Sequence, residues 1–150
     1  MPAAGFRFVI AALAVTCLGA SLAPGVAAAG DDRPGIAGEW RIGAIATEAG
    51  ALVDLDGATS ARTEVVIDRH GLWAASAGCN RLRGTLEQAG RTISVSDRVM
   101  ATKMACQGPA GDLERRFMKY FPAAVEVDGV AGRVLLRDAS GAAVVLLVGR

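Results

Sequence analysis

The sequence is poor in the residues that enzymes most often use for acid–base and metal chemistry. Its 150 residues include one histidine, His70, and three cysteines, and they contain no Gly-x-Ser-x-Gly segment. One histidine and two distant cysteines do not make a closed zinc shell, and His70 falls at a predicted hairpin tip. Asp54 and Asp56 are close enough in sequence to suggest a carboxylate pair for acid–base catalysis, but two exposed acids in a loop are the simpler interpretation. We therefore predict a protein that is not an enzyme, with no catalytic residue, no metal and no cofactor.

A phosphate-binding loop and an excess of positive charge are also lacking. No glycine-rich loop precedes a predicted helix. Residues 1–29 contain only one of the sixteen basic residues, Arg7, so without them fifteen bases would face fifteen acids. A chain without net positive charge is not expected to bind nucleic acid. Basic residues do outnumber acidic ones between 81 and 119, and we interpret that bias as ordinary solvated surface.

The one apolar run long enough to suggest targeting lies at the N-terminus. Arg7 precedes an apolar stretch over residues 8–23, Pro24-Gly25 ends it, and Ala27-Ala28-Ala29 provides the small residues that a signal peptidase requires. A run of about sixteen residues is short for a membrane span. We therefore predict a signal peptide over residues 1–29, cleavage near Ala29, a periplasmic or secreted protein, and no stable membrane insertion afterwards.

Cys17 lies inside this apolar run and raises the alternative of lipid attachment. The segment Ala14-Val15-Thr16-Cys17 lacks the large aliphatic residue three positions before the cysteine and the small residue directly before it. The residues after Cys17 also continue the apolar run. We interpret Cys17 as a small apolar residue of the signal peptide, and a lipoprotein anchored through Cys17 stays the alternative.

Two cysteines, Cys79 and Cys106, would remain after cleavage. An even number of cysteines in an exported protein most simply forms a disulfide. On the chain-entropy model, closing a loop of this length stabilises a fold by about 3–4 kcal/mol. Two alternatives stay open: a pair of buried free thiols that pack as small hydrophobes, and a redox-active pair, for which no activating residue lies nearby in the sequence.

Hydrophobic periodicity predicts an α+β domain over residues 37–150, after a polar linker at 30–36. Its main element is an antiparallel, barrel-like sheet of about seven or eight short strands. The predicted strands cover residues 38–42, 63–68, 72–76, 82–88, 92–96, 125–128, 133–137 and 142–148, with a weak strand at 52–55 inside a long connection over 48–62. Gly71 is expected to adopt positive φ in the 69–71 turn.

One helix is predicted over residues 112–121. Asp112 would cap it and Pro122 would end it. Its apolar stripe consists of Leu113, Phe117, Tyr120 and Phe121, and its expected solvent-facing residues are Arg115, Arg116 and Lys119. Residues 97–111, before this helix, show no strong periodicity.

Two short motifs, 27 positions apart at their cysteines, resemble a known family. Gly78-Cys79-Asn80 is followed by Gly84, then by Thr102-x-Met104-Ala105-Cys106, and then by Glu114 and Phe117 on the predicted helix. This pattern resembles the META domain, the HslJ-like family of bacterial envelope proteins. An early Gly38-x-Trp40 and a closing Val134-Leu135-Leu136 segment match the same layout, so the resemblance covers roughly residues 36–149.

The resemblance implies a compact α+β domain in the periplasm or on the cell envelope. Members are linked to heat shock, to tolerance of the antibiotic novobiocin and, in parasites, to virulence or secretion. No catalytic residue or cofactor is carried over, and the implied roles are structural. Gly78 would make a tight turn, Asn80 would adopt the left-handed conformation or bond the backbone, Thr102 would bond nearby backbone, and Met104 would fill the core.

These observations lead to three functional hypotheses. The first is a monomeric, non-enzymatic envelope-stress or drug-tolerance module that binds an unknown protein or a small hydrophobic compound. The second is a secreted inhibitor of a hydrolase that acts through an exposed loop such as 97–111. The third is an enzyme, which the residue inventory supports least.

Overall fold

The computed structural model describes residues 35–150. The predicted signal peptide at 1–29, Cys17 within it, and most of the predicted linker lie outside the described residues. Ile36, which the prediction assigned to the linker, belongs to the domain: its side chain is 2% exposed, and its carbonyl accepts a hydrogen bond from the Trp40 indole Nε1. Within residues 35–150, no helix combines the length and the apolarity that a membrane crossing requires.

Ten strands and two helices make up this part of the chain. The strands are β1 (Gly38–Ala46), β2 (Leu52–Asp54), β3 (Glu64–Ile67), β4 (Leu72–Ser76), β5 (Arg81–Ala89), β6 (Thr92–Val95), β7 (Met100–Ala101), β8 (Glu126–Val130), β9 (Arg133–Arg137) and β10 (Ala143–Gly149). The helices are α1 (Gly57–Ala61) and α2 (Gly108–Tyr120). All eight predicted strands are present, and the weak strand predicted at 52–55 is β2.

Eight of the strands close into an antiparallel barrel. Their order around the ring is β1, β3, β4, β5, β6, β8, β9 and β10, and β10 pairs back onto β1. Strand β2 pairs with β1 and strand β7 pairs with β5, and both lie off the ring. The predicted α+β class and the barrel-like antiparallel sheet are therefore confirmed, with β7 and α1 as elements that were not predicted.

Side chains from alternate strand positions fill the barrel, as the two-residue period of a strand requires. In β6, the predicted inward residues Ile93 and Val95 are buried, and the alternate residues Thr92 and Ser94 are exposed. The buried side chains at such positions on the other strands include Trp40, Ile42, Val65, Ile67, Trp73, Ala75, Leu82, Leu86, Val134, Leu136, Val145 and Leu147. The ring therefore encloses a packed core.

Helix α2 lies against the end of the barrel where β1 and β4 finish. Phe117 and Phe121 stack with ring centroids 4.8 Å apart, and the Trp73 indole meets them edge-on at 6.4 Å and 5.1 Å. Such edge-to-face and stacked pairs stabilise a core beyond the area that they bury. The aromatic cluster fixes the helix over this end of the barrel, next to the turn that connects β4 to β5.

The helix begins four residues before the predicted start, and its cap differs from the prediction. Gln107 is the N-cap residue, Pro109 lies in the first turn, and Asp112 lies inside the helix and pairs with Arg115. Proline is favoured at the first turn because the missing N–H has no helical partner there. The prediction of Asp112 as the cap is therefore wrong, because the proline rather than a capping acid marks the start.

The predicted solvent-facing side of α2 is wrong at Arg116. Its guanidinium donates hydrogen bonds to the carbonyls of Ile45 at 2.6 Å and Ala46 at 2.9 Å. Tyr120, predicted in the apolar stripe, donates its hydroxyl to the carbonyl of Thr47 at 2.7 Å. Both side chains satisfy backbone carbonyls near the end of β1, which is why a polar face of the helix lies against the barrel.

The connection over residues 48–62 contains the short helix α1 as well as β2. Asp56 is its N-cap, and its carboxylate accepts hydrogen bonds from the Thr59 hydroxyl at 2.6 Å and the Thr59 backbone N–H at 2.9 Å. These bonds, the hydroxyl bond first, hold the pKa of the Asp56 carboxyl below its ordinary value. Asp56 therefore acts as a helix cap, and Asp54 ends β2 beside it.

Candidate functional site

The two sequence motifs meet beside the N-terminal half of α2. Cys79, in the turn between β4 and β5, forms a disulfide with Cys106, which lies just before α2. The Cα atoms are 6.1 Å apart, within the usual range for a bridge. The predicted disulfide is therefore present in the structure, and it links the barrel wall to the segment that leads into the helix. We call Cys79, Asn80, Thr102, Met104, Cys106 and Glu114 the motif cluster.

Glu114 is the buried acceptor at the centre of the motif cluster. Its side chain is 7% exposed, and one carboxylate oxygen accepts hydrogen bonds from the backbone N–H groups of Cys79 at 3.1 Å and Asn80 at 2.5 Å. The other oxygen accepts a hydrogen bond from the Asn80 side-chain amide at 2.7 Å. Three donors converge on one carboxylate, which compensates for its burial.

Asn80 connects this carboxylate to the second motif. Its side-chain oxygen accepts hydrogen bonds from the Thr102 hydroxyl and from the Met104 backbone N–H, both at 2.8 Å. The Thr102 hydroxyl oxygen in turn accepts the backbone N–H of Arg81 at 3.1 Å. Of the two roles implied for Asn80, the structure has the bond to backbone, since no non-glycine residue within 35–150 has positive φ.

The glycines of the motif leave room for backbone and ring atoms. A Cβ on Gly78 would lie 2.1 Å from the Ala110 carbonyl oxygen in the first turn of α2. A Cβ on Gly84 would lie 2.6 Å from the Trp73 indole inside the barrel. Gly78 lies in the bend after β4, as implied, but the close approach of the helix is what requires glycine there.

The role implied for Met104 is wrong. Its side chain is 57% exposed and does not belong to the core. The cluster uses the Met104 backbone, whose N–H donates to Asn80 and whose carbonyl accepts the Asn80 amide at 3.3 Å. The methionine side chain is therefore available at the surface of the loop.

The chemistry open to the motif cluster is limited by its hydrogen bonds. The Glu114 oxygens and the Asn80 amide oxygen are all occupied by donors from the same chain. His70 lies at the exposed tip of the β3–β4 hairpin, beside a cavity of about 440 Å³ at the barrel end opposite α2. Within the described part of the chain, no three His, Cys, Asp or Glu side chains are grouped to hold a metal ion.

A second candidate site lies on the outer face of the barrel wall, where β3, β4 and β5 meet the segment 96–100. It is an open groove of about 840 Å³, in the size range of small-molecule sites. We call it the wall groove. Its lining residues on the outer face are Val66, Asp68, Leu72, Ala74, Arg83, Thr85, Ser96, Arg98 and Met100.

The wall groove exposes large apolar side chains to solvent. Val66 is 36% exposed, Leu72 is 57% exposed and Met100 is 69% exposed. Grouped exposed apolar residues on a concave surface usually mark a binding site. Sequence reasoning did not find the groove. The available signal was the unbroken run Val65-Val66-Ile67, because an antiparallel strand with one solvated face should alternate apolar and polar residues.

Comparison with solved structures supports the fold. An NMR structure of a protein from Burkholderia xenovorans has 18% sequence identity and a TM-score of 0.57, covering 74% of this chain and 80% of that one. A crystal structure of a DUF4847 family protein from Bacteroides vulgatus has 13% identity and a TM-score of 0.54, covering 76% and 93%. At these identities the likeness concerns the fold alone. No curated protein sequence matches the chain.

The family is shown by a match to a family model. The META domain model matches residues 36–149, which include both motifs, the disulfide and every strand of the barrel. The match begins at Ile36, the first buried residue of the structure, and ends in β10, the strand that closes the ring. Sequence motifs, their hydrogen-bonded cluster and the family model therefore agree that this chain belongs to the META domain family.

Proposed function

We propose that this protein is an exported, non-catalytic module of the cell envelope that acts by binding an apolar partner in the wall groove. The observation that carries the proposal is the exposure of Val66, Leu72 and Met100 on one concave surface of the barrel. Side chains that face water on a rigid sheet need no rearrangement to bind, so little conformational entropy is lost.

We propose that the protein is not catalytic because the motif residues are bonded to groups of their own chain. Glu114 and Asn80 are engaged by hydrogen bonds, and Cys79 and Cys106 are joined to each other. A general base or a nucleophile must be able to reach a substrate, and these groups contact their own chain. Turnover that was abolished by substitution of His70, Asp54 and Asp56 together would contradict this part of the proposal.

Export is proposed on the disulfide together with the apolar N-terminal run. Disulfides persist mainly in oxidising compartments. The intact mass of the exported protein, measured with and without reduction before alkylation, tests both features. We expect a chain that begins near Gly30 and takes up two alkyl groups only after reduction. A diacylglycerol adduct on Cys17 would establish the lipoprotein alternative instead.

A role in envelope stress or drug tolerance is proposed on family membership. We expect a strain that lacks the gene to grow worse than its parent under heat, oxidant or envelope-active antibiotics. Unchanged growth under all three conditions would contradict the stress role. It would not bear on the binding proposal, which a separate experiment tests.

Binding in the wall groove is tested with Nile red, a neutral apolar dye that fluoresces in apolar surroundings. We expect saturable binding by the wild type and its loss in Leu72→Glu, which places a charge among the apolar side chains. Val130→Glu is the matched control, because Val130 is 65% exposed and lies outside the groove. Equal dye binding by the two variants, or no saturable binding at all, would overturn the proposal.

A second candidate function is inhibition of a hydrolase through the predicted loop 97–111, of which residues 97–107 precede α2. This loop exposes Lys103 and Met104, while the motif cluster holds it at Thr102, at the Met104 backbone and at Cys106. A loop that is already rigid binds at a low entropic cost. Purification of periplasmic partners on the immobilised protein distinguishes the two functions, since a stoichiometric hydrolase lost with Lys103→Ala and Met104→Ala would favour inhibition.

A further inference from the structure

The register of the sheet arranges the wall groove as two rows that run across neighbouring strands. One row consists of Val66, Ala74, Arg83 and Met100, which are directly opposite one another from β3 to β7. The other consists of Asp68, Leu72, Thr85 and Ser96, joined by the backbone bonds of Asp68 to Leu72 and of Ser96 to Thr85. Directly opposite residues point to the same face, so both rows line one surface.

Charge is distributed unevenly along these rows. Arg83 lies at the Met100 end of the first row, and Arg98 lies two residues before Met100. Asp68 lies at the far end of the second row, where its carboxylate accepts the backbone N–H groups of His70 at 2.8 Å and Leu72 at 2.9 Å. Within residues 35–150, neither arginine makes an ion pair, so the positive charge at this end of the groove is not neutralised by an acid. At the other end, the Asp68 carboxylate already accepts two hydrogen bonds.

We propose that the wall groove binds a small single-chain amphiphile: an apolar chain along Val66, Ala74 and Leu72, with a carboxylate head at Arg83 and Arg98. This inference rests on the proposed function and names the chemistry of its ligand. Guanidinium groups bind carboxylates in a planar, bidentate geometry that an ammonium group does not offer.

The groove favours this ligand over a larger partner. Its volume of about 840 Å³ suits a molecule the size of a fatty acid, and its lining combines apolar side chains with the polar side chains of Arg83, Thr85 and Ser96. The other exposed large hydrophobics, such as Val53, Val125 and Val130, lie outside the groove, so the apolar surface does not extend into a broad protein interface.

The experiment compares three amphiphiles whose main chains have twelve carbons: dodecanoate, dodecanol and dodecyltrimethylammonium. Each is titrated below its micelle concentration by displacement of Nile red, and dodecanoate also by calorimetry. We expect dodecanoate to bind most tightly and the cationic probe most weakly. Replacement of both arginines by Arg83→Gln and Arg98→Gln should weaken dodecanoate binding about fivefold and leave dodecanol unchanged.

The matched control is the double variant Arg62→Gln and Arg133→Gln, which removes the same two charges from exposed residues outside the groove. It should leave all three affinities at the wild-type value. Equal binding of dodecanoate and dodecanol, with no effect of the arginine variants, would overturn the amphiphile inference and leave the binding function intact.

Failure of the function itself gives a different result, because then neither Nile red nor any alkyl probe binds saturably. Binding to vesicles of anionic phospholipid without binding to monomeric dodecanoate would also overturn the inference, in favour of a membrane surface. Concentration-dependent dimerisation that competes with Nile red would overturn it in favour of a second copy of the chain.

Discussion

The motif cluster and the wall groove lie on the same barrel and differ in which side chains they bury. The cluster buries polar groups, and the groove exposes apolar ones. In the motif cluster, buried polar atoms are paired with each other, and a disulfide joins the two segments. In the wall groove, large apolar side chains face solvent beside two arginines that make no ion pair within the described residues. The polar groups of the motif cluster therefore bind one another, whereas the side chains of the wall groove are free to contact a ligand.

This contrast separates what identifies the family from what we expect to bind. Buried, fully paired polar networks specify one conformation and resist substitution, because removal of any member leaves another unpaired. An exposed groove tolerates substitution without loss of the fold. We therefore expect variants of the motif cluster to change stability and variants of the groove to change affinity.

The largest loss of stability is expected from Glu114→Ala. The change leaves the backbone N–H groups of Cys79 and Asn80 without their acceptor, and it leaves the Asn80 side-chain amide with only the longer bond to the Met104 carbonyl. Unpaired buried donors of this kind should lower the free energy of unfolding by about 4 kcal/mol. Urea unfolding followed by tryptophan fluorescence measures the loss, since Trp73 is packed in the core close to α2.

Glu87→Ala is the control for that measurement, because Glu87 is an exposed acid on β5. It should alter the free energy of unfolding by less than about 0.5 kcal/mol. If the two variants unfold at the same urea concentration, the Glu114 carboxylate contributes nothing and the motif cluster is not a stabilising network.

The second largest effect is expected from removal of the disulfide. The double variant Cys79→Ser and Cys106→Ser opens a loop whose ends are 27 positions apart. On the chain-entropy model this costs about 3.5 kcal/mol. The reduced wild type should unfold at the same urea concentration as the double variant. A reduced protein as stable as the oxidised one would show that the bridge stabilises nothing.

A somewhat smaller loss is expected from Gly78→Ala. The new Cβ would lie 2.1 Å from the Ala110 carbonyl oxygen, so the first turn of α2 must move away. Overpacking against backbone should lower the free energy of unfolding by about 2 kcal/mol. Gly57→Ala is the control, since a Cβ there meets nothing within 4 Å and should be neutral or slightly stabilising. Equal unfolding midpoints would contradict the close contact.

Much of the fold could be predicted because its local signals agree with its tertiary structure. Alternating segments such as Thr92–Val95 indicate strands, and the glycine of the β3–β4 turn has the predicted positive φ of 80°. The prediction places the start of α2 too late because Asp112 resembles a capping residue, whereas Pro109 occupies the first turn. The short helix α1 was missed because a single turn held by Asp56 has too few residues to show a period.

The contacts of the two sites could not be read from the sequence for a different reason. Pairing of Glu114 with Asn80, or of Arg116 with the end of β1, depends on where α2 lies against the barrel. The wall groove depends on register, since a one-residue shift between β4 and β5 would turn Arg83 to the interior. Residues distant in the sequence meet only once the ring is closed.

The smallest change in stability is expected from Met104→Ala. This variant distinguishes the role of the Met104 backbone in the motif cluster from that of its side chain. Met104→Ala keeps the N–H that donates to Asn80 and removes a side chain that is 57% exposed. It should change the free energy of unfolding by less than about 0.5 kcal/mol. Leu82→Ala, at a fully buried position on neighbouring β5, should cost about 3 kcal/mol in the same assay. A loss at Met104 as large as that at Leu82 would mean that its side chain packs in the core, and the loop surface proposed for hydrolase inhibition would then lack the exposed Met104 side chain.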